Sequence, residues 1–69
     1  MSAEAKQKIL EFLANWKGSE KGVATAAEIQ KGTGLKRQEA AQLLKELEAE
    51  GKIVGAGRAA GVYGYKLKT

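Results

Sequence analysis

Apolar residues at the start of the chain fall at Ala5, Ile9, Phe12, Leu13 and Trp16, with Leu10 widening the stripe. Lys8, Glu11 and Asn15 occupy the opposite side. That spacing predicts a first helix over 2–16. Ser2 can cap it, Glu4 sits in the first turn where the helix dipole favours an anion, and Gly18 stops it. Phe12 and Trp16 could serve as a ligand platform, but a stripe at this spacing belongs to a core. A polar loop, 18–22, leads to Val23-Ala24, which could form a very short strand.

Thr25-Ala26-Ala27-Glu28 has the form of a capping box: the Thr25 hydroxyl can accept from the Glu28 amide while the Glu28 carboxylate reaches back. A short second helix is predicted from Ala26 to Lys31 or Gly32, burying Ile29 and one of Ala26 or Ala27. Gly34 can take a left-handed conformation before Leu35 turns back to the core. A third helix is predicted over 37–50, with an apolar face of Ala40, Leu43, Leu44 and Leu47 and Gly51 as its stop. Lys36 stands at its N-cap, where Ser or Thr would be expected, so something other than capping places a cation there.

Beyond Gly51 the period changes. Lys52-Ile53-Val54 reads as a strand, 55–61 as a glycine-rich turn with a flexible tip, and Val62 to Leu67 as a return strand carrying Tyr63 and Tyr65. The pair predicts a β-hairpin. There is no proline, repeat or linker, and 69 residues suit one domain, 1–69.

Composition narrows the chemistry. The chain is 43% hydrophobic and 29% charged, a globular balance. It has no Cys and no His, and all eight acidic residues are Glu. Disulfides, thiolate nucleophiles, most zinc sites and the usual general base are therefore absent. The expectation is a protein that is not an enzyme and holds no metal or cofactor. Gly55-Ala56-Gly57-Arg58-Ala59-Ala60 matches a loose dinucleotide fingerprint, but that mechanism needs a helix to follow, and a strand is predicted there. No apolar run approaches the roughly 20 residues of a membrane span, and the first residues lack the form of a signal peptide. A cytoplasmic location without membrane attachment is expected.

The net charge is +4. Residues 1–50 carry eight basic residues against all eight Glu, so the excess lies in 51–69, on Lys52, Arg58, Lys66 and Lys68. An acid-free segment of this kind suits a polyanion or an acidic protein face.

Two helices joined by a short glycine turn are the signature of a helix-turn-helix, and a following hairpin adds a wing. The stretch from Thr25 to Ile53 resembles the winged helix-turn-helix superfamily along its whole length, and with the first helix and hairpin the likeness covers nearly all the chain. It implies an α+β fold: a winged helix-turn-helix of three helices followed by a two-stranded β-hairpin wing. The opening 4–13 and the closing Tyr63-Gly64-Tyr65-Lys66 look like the small dissimilatory sulfite reductase D family, which is associated with sulfite reduction. The layout is also similar to the Z-DNA-binding domains, which use a cation, an asparagine and a tyrosine at successive turns of the third helix and an aromatic in the wing. Here those positions hold Arg37, Ala41 and Lys45, with Tyr63 in the wing. The asparagine and helix tyrosine are missing, so Z-DNA specificity is not carried over.

In such a fold the third helix offers its N-terminal residues to a DNA groove. Lys36, Arg37, Gln38, Gln42 and Lys45 are the candidates there, since Arg and Lys can meet phosphate or guanine and Gln can bond adenine. Arg58 at the wing tip, with Lys52, Lys66 and Lys68 nearby, would extend contact along the backbone, and Tyr63 is a further candidate in the wing. Against this, 36–50 holds three basic and four acidic residues. Two expectations follow: a nucleic-acid-binding transcriptional regulator acting on double-stranded DNA, or an accessory protein docking its basic hairpin on an acidic protein surface such as a sulfite reductase.

Overall fold

The computed structural model describes residues 3–17, 22–59 and 62–68, with side chains except those of Arg58, Ala59 and Val62. The order is α1 (Ala3–Ala14), α2 (Ala26–Thr33), α3 (Arg37–Ala49), β1 (Ile53–Ala59) and β2 (Val62–Leu67). It is an α+β arrangement, three helices followed by a two-stranded antiparallel hairpin. No helix among the described residues is long and apolar enough to cross a membrane.

α1 buries Ala5, Ile9 and Leu13, as its stripe requires. It stops two residues short of Trp16. The Asn15 side chain donates to the Glu11 carbonyl, and the Trp16 indole donates to the Val23 carbonyl at 2.9 Å. Trp16 thus ties the end of α1 to the segment before α2, and its ring packs 5.1 Å from that of Phe12. Both aromatics lie half-buried against the core. The expected cap at Ser2, the stop at Gly18 and most of the polar loop lie outside the described residues.

The capping box before α2 is complete. The Thr25 amide donates to Glu28 Oε1 at 2.9 Å, and the Glu28 amide donates to Thr25 Oγ1 at 3.2 Å. Gly34, at φ 75°, ends the helix with its amide on the Gln30 carbonyl. Only Ile29 of α2 is buried; Ala26 and Ala27 are both exposed, contrary to expectation. The reason is geometric. Ile29 is the residue of α2 that enters the buried core, while the two alanines in the first turn border a cleft with Arg37 and Ala41 of α3.

α3 buries Ala40, Leu43, Leu44 and Leu47. Glu50 caps it, and Gly51, at φ 77°, lets the Lys52 amide fold back onto the Leu47 carbonyl at 3.0 Å. This is a Schellman closure, and it delivers Ile53 straight into the core. Ile9, Val23, Ile29, Leu43, Leu44, Leu47 and Ile53 form the fully buried centre.

The hairpin corrects a second expectation. β1 runs through Gly55-Ala56-Gly57-Arg58 to Ala59, so the connection shrinks to 60–61, outside the described residues. Gly55 pairs with Tyr65 and Gly57 with Tyr63, and the Tyr63 ring occupies the space a side chain on Gly55 would need. Gly55 thus makes room for an aromatic across the strand pair, a strand use of glycine as distinct from a turn use. A register irregularity between Gly57 and Ala59 marks the end of regular pairing. β2 follows in place of a helix, which removes the dinucleotide reading. Val23-Ala24 contributes one bridge: Ala24 and Tyr65 exchange amide–carbonyl bonds at 2.9 and 2.8 Å.

Candidate nucleic-acid interface

Because Ala40, Leu43, Leu44 and Leu47 face the core, a period of 3.6 residues fixes what the rest of α3 presents. The outward ridge carries Gln38, Ala41, Gln42 and Lys45, all exposed. Arg37 and Glu48 flank it on one side; Glu39, Glu46 and Glu50 flank it on the other. Lys36 precedes the helix with an extended backbone (φ −72°, ψ 154°) and makes no side-chain capping bond. Lys36, Arg37, Gln38 and Gln42 line one shallow groove together with Glu39. Arg37 also borders the cleft toward Ala26 and Ala27.

The acidic flank is where sequence reasoning missed a set of residues. Lys6 of α1 reaches across to α3, its Nζ 2.6 Å from Glu50 Oε2 and 3.1 Å from Glu46 Oε1. Gln42 donates to the other oxygen of Glu46 at 3.1 Å, and Lys52 stands 3.7 Å from the other oxygen of Glu50. Hydrogen bonding to Lys6 holds both carboxyls below their ordinary 4.5 and lifts the Lys6 ammonium above its ordinary 10.5. Two cations and two carboxylates form a balanced cluster. None of these ion pairs uses Lys36, Arg37 or Lys45. With the two clamped carboxylates set aside, 36–50 keeps three cations against Glu39 and Glu48.

The hairpin residues divide. Tyr63 is 62% exposed, its ring edge-on to that of Tyr65 at 6.1 Å. Tyr65 is packed against the core, and burial, aided by the charge of Glu48, raises its phenol above the ordinary 10.0. The alternation of a strand puts Tyr63, Tyr65 and Leu67 on one face and Lys66, paired across to Val54, on the other. Lys66 therefore does not join Tyr63. Lys52 is drawn toward Glu50 at the base of the hairpin. The side chain of Arg58 lies outside the described ones. The structure thus gathers Lys36, Arg37, Gln38 and Gln42 at one end of α3, with Lys45 two turns further on, while Lys52 joins the cluster at Glu50 and Lys66 lies on the strand face opposite Tyr63.

The chain matches no protein-family profile and no curated protein.

Proposed function

We propose that this chain is a small winged-helix nucleic-acid-binding protein, a cytoplasmic transcriptional regulator that lays α3 in the major groove of duplex DNA. One observation carries the reading: the cations of α3 and its N-cap stand exposed and outside every ion pair among the described residues, while Glu46 and Glu50 are held by a lysine of another helix. Arg37 and Lys36 then meet phosphate or guanine, and Gln38 meets a base edge. Gln42 must release Glu46 to do the same. The hairpin serves as the wing, with Tyr63 as its exposed aromatic and Arg58 toward its tip.

A chemical-shift titration with a short duplex at low salt tests this. Shifts concentrated on 36–45 and on the hairpin are expected. Their absence there counts against duplex binding and turns attention to an acidic protein partner.

A further inference from the structure

The lysine that holds the acidic flank of α3 lies on a different helix from every cation assigned to the interface. Lys6 projects from α1, with 24% of its side chain exposed, and bonds two carboxylates one turn apart on α3. Glu46 directly follows Lys45 and accepts from Gln42, so its charge sits within the proposed interface and not beyond it. At physiological salt a charge is felt over about 8 Å, and successive turns of a helix are about 5.4 Å apart. An uncompensated Glu46 would repel any phosphate approaching Lys45. Exposed ion pairs add little to stability, so the consequence of this one lies in the charge it hides.

We propose that Lys6 is a positioning residue for nucleic-acid binding: without touching the polyanion, it lets α3 approach phosphate by neutralising Glu46 and Glu50. The inference rests on the nucleic-acid reading of α3 and adds to it a residue outside the contact surface. Lys52 assists from the other side of Glu50. Because Lys6 makes no phosphate contact, its loss lowers affinity without removing a released counterion.

The test is fluorescence anisotropy with a labelled duplex over a salt series, with circular dichroism to confirm folding of each variant. Lys6→Gln should weaken binding about two- to tenfold at low salt, the scale of one or two unscreened charges several ångströms from phosphate. Its slope of log affinity against log salt should match that of the wild type, whereas loss of a true phosphate contact lowers the slope by about 0.9. Lys8→Gln makes the same change in net charge on the same helix and should have a clearly smaller effect. Lys6→Arg should bind like the wild type, and Lys6→Gln combined with Glu46→Gln and Glu50→Gln should recover the affinity. The triple variant also keeps the test alive if Lys6→Gln alone does not fold. A slope reduced by about 0.9 makes Lys6 a contact residue and overturns the proposal. So does equality of Lys6→Gln with Lys8→Gln, or a triple variant that stays weak. A wild-type protein that binds no duplex overturns the underlying nucleic-acid reading, and this proposal with it.

Discussion

A side chain on Gly64 would place its Cβ 2.6 Å from the carbonyl oxygen of Ala24, the same oxygen that accepts the Tyr65 amide. Val23 Cγ1 stands 2.8 Å from that position, so backbone and a fully buried valine close it from two sides. The bridge between the residue-24 segment and β2 exists because β2 offers no side chain at this point.

Gly64→Ala should therefore destabilise the protein by about 1–3 kcal/mol, the usual cost of overpacking. Gly57→Ala is the control: its Cβ meets nothing, and its change should stay within about 0.5 kcal/mol. Urea midpoints compare the two. Equal stability of Gly64→Ala and wild type would remove the close approach described here.

Leu44 is 1% exposed at the centre of the core. Leu44→Ala should cost about 2–5 kcal/mol. A domain of this size has a total of roughly 3–10 kcal/mol, so the variant should be close to unfolding at room temperature. A thermal melt indistinguishable from wild type contradicts the α3 register.

Thr25→Ala removes the acceptor of the Glu28 amide and should cost about 1 kcal/mol, with Thr25→Ser retaining most of the stability. The Glu28 amide should also exchange faster with solvent in the alanine variant. Unchanged protection there means that the capping box does not form.

The Lys6 cluster has a pH signature of definite sign. Glu46 and Glu50 titrate below 4.5 in the folded state, so what they contribute is present above pH 4.5 and is lost as pH falls through their folded values. The raised Lys6 contributes fully below pH 10.5 and loses its effect as pH rises above that. Any difference in melting temperature between wild type and Lys6→Gln should thus be level from about pH 5 to 10 and shrink as pH falls below 4.5 and the carboxylates protonate. High salt should shrink it. A difference that does not shrink as the carboxylates protonate points to packing of the lysine stem instead of charge.

If Lys36, Arg37, Lys45 and Arg58 each neutralise a phosphate, log affinity for a duplex should fall against log salt with a slope of about −3.6. Arg37→Ala should weaken binding and bring the slope to about −2.7. An unchanged slope in that variant places Arg37 off the phosphates.

Much of this architecture is legible in residue order. The stripes of α1 and α3, the Thr25–Glu28 box and the glycines at 34 and 51 are local signals, set by a helix period or by one backbone conformation, and each appears where the spacing puts it. Gly55 misled for a physical reason. Glycine marks a turn from sequence alone, and its second use, admitting the Tyr63 ring from the opposite strand, becomes visible only once the register is known. Ala26 and Ala27 failed similarly, since how many small residues a short helix buries depends on the neighbours it meets. The α3 candidates were readable from their position at the start of a helix. The Lys6 clamp was not: forty-four residues separate Lys6 from Glu50, and no periodicity connects them. What the sequence showed as an excess of acid on α3 is, in three dimensions, half of a balanced cluster.

The Ala24–Tyr65 bridge also sets an order of events. It joins the approach to α2 with the second hairpin strand, and so encloses α2, α3 and β1 in a single loop. Closing such a loop carries an entropy cost that only its late contacts repay. Contacts within and between neighbouring helices can form early, being close in sequence. A chain synthesised only as far as β1 has all three helices and all four leucines buried among the described residues, yet nothing to receive the Ala24 amide and carbonyl. Closure of the domain waits for Tyr65 to be made.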